Sequence, residues 1–176
     1  MSTTLGPGSR WRIDEIRLCI ELDHTSVRVE AELQVQSTVA QPGPLALDGH
    51  DLQTLDVRVD GSPAVDAVIE PRTLTLPLTA GSHVVSTKVS ASVGAPGDKG
   101  FVSYAGLLST CLEPQGFRRL TWSLDEPASR SVYDVTLVGG VSDFPVILSN
   151  GTFVDSGDGR GDALRRTTGR YRTRPG

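Results

Sequence analysis

Only two cysteines occur in this 176-residue chain, Cys19 and Cys111, and they stand far apart. No disulfide framework is expected from that usage, and both thiols should be reduced. The three histidines, His24, His50 and His83, are equally isolated. None has a second ligand at metal spacing, so each is expected at the surface or in a turn, and no zinc site is visible. No apolar run approaches the length needed to span a bilayer, which argues against a membrane protein. The N-terminal MSTTLGPGSR lacks the apolar core of a secretory signal, making the cytoplasm the expected compartment. Basic residues are scarce over most of the chain: residues 1–156 hold 11 against 19 acidic ones. Residues 157–176 reverse the balance, with 6 arginines against 2 aspartates. An acidic body excludes nucleic acid as the expected partner, and so short a basic tail does not restore it.

A helical period is missing too. Nineteen glycines and eleven prolines punctuate the chain instead, while hydrophobic residues make up 38% and charged residues 22%. That balance describes one globular domain built of short strands and turns. Ile16, Leu18, Ile20 and Leu22 alternate with Arg17, Cys19 and Glu21, and Val27, Val29, Ala31, Leu33 and Val35 repeat the pattern. The turn-rich Asp23-His24-Thr25-Ser26 between them predicts a hairpin. Further strands are expected at Leu45–Leu47, Leu55–Val59, Leu74–Leu78, His83–Val93, Leu120–Leu124, Tyr133–Val138 and Pro145–Leu148. The run Gly94 to Gly100 reads as a loop, and Asn150-Gly151 as a tight turn. The expected fold is therefore all-β, an antiparallel sandwich or saddle of curled sheets over residues 11–156. Residues 1–10 and the Gly/Arg/Thr-rich residues 157–176 are expected to be disordered.

The most informative stretch is CLEPQGFRRLTWSLDEP, Cys111 to Pro127, followed by FPVILSNG at Phe144 to Gly151. Glu113 stands just ahead of Gly116-Phe117-Arg118-Arg119, read as the start of a strand. A carboxylate presented from such a rim offers charge-assisted hydrogen bonds to an ammonium group. Arg118 and Arg119 read as strand residues pairing with acids such as Asp125 or Glu126, rather than as an anion clamp, and Trp122 as a core or interface aromatic. Cys111 has no histidine nearby in sequence to activate it as a nucleophile. Arg160-Gly161-Asp162 and the spacing of Asp155, Asp158 and Asp162 read as chance matches to an integrin tripeptide and a calcium loop.

At this separation the Gly-Phe-Arg-Arg and Leu-Ser-Asn-Gly segments resemble the N-terminal domain of the aminopeptidase N family, the zinc-dependent gluzincin aminopeptidases. The likeness extends over roughly residues 12–156. It implies a saddle-like β domain that packs against a separate catalytic domain. It also implies a role for Glu113: in the family, the acid three positions before Gly-Phe-Arg binds the free α-amino group of the peptide. Many members carry a Gln two residues before that acid, also in contact with substrate, where this chain has Cys111. A thiol does not reproduce the two-sided hydrogen bonding of an amide, so substrate side-chain preference is open at that position.

The family's zinc chemistry needs a His-Glu-x-x-His helix and a Gly-x-Met-Glu-Asn loop. Met1 is the only methionine and no histidine adjoins a Glu, so neither motif is present. The expectation is a chain without catalytic residues, cofactor or metal of its own: the substrate-anchoring domain, or a fragment, of a zinc aminopeptidase. The alternative is a free-standing β-sandwich module binding peptides or a partner protein. The tail beyond about Gly157 has the composition of out-of-frame translation of GC-rich DNA, with a catalytic domain expected downstream. A domain lacking its neighbour is expected to self-associate.

Overall fold

A computed structural model describes residues 10–113, 115–125, 131–159 and 166–172. Its spine is the expected hairpin, β1 (Trp11–Glu21) and β2 (Ser26–Ser37), paired antiparallel with Ile16 opposite Leu33 and Ile20 opposite Val29. The period of two sends Ile16, Leu18, Ile20, Val27, Val29, Leu33 and Val35 into the core, while Arg17, Arg28 and Glu30 face outward. The turn is an Asx turn: Asp23 Oδ1 accepts from Thr25 N at 2.8 Å and from Thr25 Oγ1 at 2.6 Å. A bulge between Ile13 and Glu15 resets the parity, so that Trp11, Ile13 and Ile16 all point inward.

The remaining strands are β3 (Leu45–Asp48), β4 (Leu52–Val59), β5 (Ser62–Pro63), β6 (Val68–Ile69), β7 (Thr73–Leu76), β8 (Ser82–Gly94), β9 (Gly100–Tyr104), β10 (Leu107–Cys111), β11 (Val132–Gly140), β12 (Thr152–Gly159) and β13 (Arg166–Arg172). The large sheet runs β10-β9-β8-β2-β1-β11-β13-β12, with β4 also on β8 and β5 on β4; β3-β7-β6 form a second, small sheet. Leu45, Leu47, Leu74 and Leu76 of the small sheet are fully buried in the same core as the inward faces of β1, β2 and β8. The all-β expectation is met. The antiparallel one needs correcting at two places, because β1 pairs with β11 and β8 with β9 in parallel.

Local expectations change as well. Gly116 to Arg119 is not a strand start: Phe117–Arg119 form one 3-10 turn, with Arg119 N donating to Gly116 O and Leu120 N to Phe117 O. Leu120–Leu124 belongs to no strand: it leaves the 3-10 turn at Leu120 and bends through Thr121 and Trp122. All five of its residues are buried, and its ladder is one bridge, Asp48 to Ser123. Pro145–Leu148 likewise lies outside the strands; Phe144 is buried and Ile147 half-buried, while Val146 and Leu148 stay exposed. Leu55 also faces solvent, because a bulge between Thr54 and Asp56 breaks the alternation of β4. Within the stretch expected to be disordered, residues 157–159 and 166–172 have strand pairing through β12 and β13. Residues 1–9, Glu126, Pro127, Arg160-Gly161-Asp162 and the rest of 173–176 lie outside the described residues.

Candidate functional site

Glu113 follows β10 at the edge of the large sheet, in a turn fixed by its backbone. Gly116 N donates to Leu112 O at 2.7 Å, and a Cβ on Gly116 would lie 2.5 Å from Leu112 Cα, so the turn closes only around glycine. Gln115 takes φ +58°, the left-handed conformation that a non-glycine residue adopts at a cost. Glu113 itself is exposed. The loop expected at Gly94 to Gly100 does more than separate strands. Asp98 Oδ2 accepts from Ala95 N at 2.8 Å and Asp98 N donates to Ala95 O, folding the loop back onto itself. Gly100 then pairs directly opposite Cys111 in the β9–β10 register.

That register carries Lys99 across to the candidate residues. Its Nζ donates to the Glu113 backbone carbonyl and lies 3.9 Å from Cys111 Sγ. Glu113 and Cys111 are thereby brought to one rim, with Lys99 touching both. Sequence pattern alone missed Lys99; its signal is the pair of turn glycines, Gly97 and Gly100, that wrap the loop toward β10. Among the described residues, neither the Glu113 carboxylate nor Lys99 belongs to an ion pair, whereas Lys88, the other lysine, is paired with Glu30 at 2.7 Å.

The arginines following the turn are structural. Arg118 Nε meets Asp125 Oδ2 at 2.8 Å and its guanidinium also reaches Asp125 O. The Asp125 partnership comes first among the causes holding the Arg118 pKa above its ordinary value. Arg119 Nη1 meets Asp51 Oδ2 at 2.8 Å, and His50 Nε2 approaches the same oxygen at 3.1 Å. Pairing with Asp125 was expected for this segment; the 3-10 geometry, not strand alternation, produces it. Trp122 is a core aromatic, with Nε1 donating to Thr54 Oγ1 at 2.9 Å. Beside the rim, His50, Asp51, Ser92, Asp98, Lys99 and Arg119 line a polar cavity of about 280 Å³. An apolar groove of about 690 Å³ opens on the other side of β10, walled by Phe101, Leu107, Leu112, Phe117, Tyr133 and Leu148 among others.

The histidines are held apart. His24 stacks on Phe144 with centroids 4.6 Å apart, His50 faces Asp51, and His83 lies between Asp60 and Thr79 O. No group of three or more His, Cys, Asp or Glu capable of holding a metal forms among the described residues, so the family's zinc does not fit the residues placed here. Cys19 and Cys111 are both free thiols; burial, then the charges of Glu30 and Glu21, pushes the Cys19 pKa up. No helix among the described residues is long and apolar enough to cross a membrane.

No family model matches the chain. Individual proteins do. Aminopeptidase N of Caulobacter vibrioides is 32% identical over 148 residues, covering 82% of this chain and 17% of that protein. Among solved structures, Legionella pneumophila aminopeptidase A in complex with aspartic acid superposes with a TM-score of 0.82 at 19% identity, over 95% of this chain and 20% of the other. An M1 zinc metallopeptidase mutant of Deinococcus radiodurans, bound to a Tyr-Ser-Ala substrate, gives 0.72 at 16% identity, over 91% and 39%. The chain thus spans well under half the length of the proteins it matches. By sequence and by fold, it is a homologue of the N-terminal region of aminopeptidase N, the M1 family.

Proposed function

We propose that this chain is a substrate-anchoring domain of a zinc aminopeptidase, in which Glu113 receives the free amino group of a peptide while another domain supplies the metal and the base. One observation supports this most directly. Glu113 is exposed beside β10, and its neighbour Lys99 binds the backbone carbonyl rather than the carboxylate. A carboxylate that pairs with no cation among the described residues keeps its hydrogen-bonding capacity for an incoming ammonium, and a charge-assisted bond of this kind is about twice as strong as a neutral one. The solved M1 metallopeptidase bound to a Tyr-Ser-Ala substrate supports a peptide ligand for this reading.

Calorimetric titration with a free-amine tripeptide and its N-acetylated counterpart tests it. Weak binding is expected for the free amine, in the range of about a millimolar, and should disappear on acetylation or with Glu113→Gln. Equal binding of the acetylated peptide would sink the idea. Incubation of the chain with zinc and an aminoacyl chromogenic substrate should release no product; turnover above the metal-only control would instead place a catalytic group within this chain.

A further inference from the structure

We propose that Lys99 and the polar cavity beside it select peptides whose first residue is acidic. The inference rests on the reading of Glu113 as the amine anchor and adds the side-chain preference that Cys111 leaves open. The side-chain carboxylate of an N-terminal Asp or Glu is only a few bonds from its own ammonium. A peptide held at Glu113 therefore carries that carboxylate within reach of the Lys99 ammonium, whose contacts, the Glu113 carbonyl and the Cys111 thiol, are neutral. The other charged side chains around the cavity have contacts of their own. Asp51 is engaged by Arg119 and His50, and Asp98 accepts from the backbone of Ala95. Among the described residues lining the cavity, Lys99 is the cation in no ion pair. An apolar first side chain would desolvate it without compensation, whereas a carboxylate pairs with it.

The decisive experiment titrates Asp-Ala-Ala and Ala-Ala-Ala into the chain and its variants, each checked for native circular dichroism. Asp-Ala-Ala should bind the wild type at least about threefold more tightly, the scale of one partly exposed ion pair. Lys99→Arg should keep the preference and Lys99→Met should abolish it, read as the ratio of the two affinities within each variant. Lys99→Glu should reverse it, favouring Lys-Ala-Ala, which loss of a merely structural tether would not do. Equal affinity for the two peptides, with binding still lost in Glu113→Gln, overturns the acidic preference and leaves the amine anchor standing. Binding indifferent to Glu113→Gln overturns both.

Discussion

His83 occupies a position where a single proton decides how many hydrogen bonds are made. Its Nδ1 lies 2.8 Å from Asp60 Oδ2 and its Nε2 3.0 Å from Thr79 O. Both partners only accept, so the imidazolium donates twice where the neutral ring donates once. The hydrogen bond with Asp60, foremost, holds the His83 pKa above its ordinary value, and the same bond holds Asp60 below the usual carboxylate range. A raised folded pKa stabilises fully below the unfolded value of about 6.5 and loses that contribution as pH rises through the folded value. Asp60 acts oppositely: its contribution is present above the ordinary carboxylate pKa and fades as pH falls. The melting temperature should therefore decline by a few degrees as pH rises from about 6.5, and His83→Leu should flatten that slope. A wild-type profile flat across this window would rule the pairing out as a contributor. A second residue-scale test concerns Gly49, where an added Cβ would lie 2.2 Å from the Trp122 ring. Gly49→Ala should cost about 1–3 kcal/mol by overpacking, read as a lower urea midpoint at unchanged slope.

Among elements, the strands that were legible in the sequence are those whose burial has a simple period. β1, β2, β3, β7 and β8 bury alternate positions filled mostly by apolar residues, so the pattern of side chains reported the pattern of faces. Leu120–Leu124 has the same alternation of apolar and polar types, but the segment passes through the core and buries both faces. One of its hydroxyls finds a partner within the core: Thr121 Oγ1 lies 3.3 Å from Thr87 Oγ1. Alternation in residue type cannot distinguish that environment from a half-exposed strand. The site was legible only in part, for a related reason. Glu113 and Cys111 stand in one motif, but Lys99 reaches them only through the β9–β10 register, a pairing that local composition does not encode. The buried hydroxyl pair makes its own prediction. Thr121→Val alone should cost about 1–3 kcal/mol by leaving Thr87 unsatisfied, while Thr87→Val with Thr121→Val should cost less than the sum of the single changes. A double-mutant cycle by urea unfolding measures the coupling, and strict additivity would mean that the two hydroxyls do not act as a pair.

At the scale of the whole molecule, the polar and apolar surfaces around β10 are divided. The cavity with Lys99 is charged, whereas the groove beyond it exposes Leu107, Val146 and Leu148 at 65%, 73% and 81%. A contiguous apolar surface of this kind is uncommon on a soluble monomer and favours association. The groove adjoins β10, which is also an edge of the large sheet, so apolar burial and backbone pairing are both open to a second copy. We propose that the self-association expected for this domain runs through the groove. Leu107→Lys with Leu148→Lys places charges within the apolar wall while leaving the β9–β10 register intact, because both residues face solvent in the fold. Sedimentation velocity over a concentration series should show the wild type associating and the double variant shifted toward monomer. The two routes also separate by temperature: hydrophobic burial weakens on cooling, so association through the groove should decrease toward 4 °C. Association that survives both the lysines and the cold would assign the contact to the free strand edge instead.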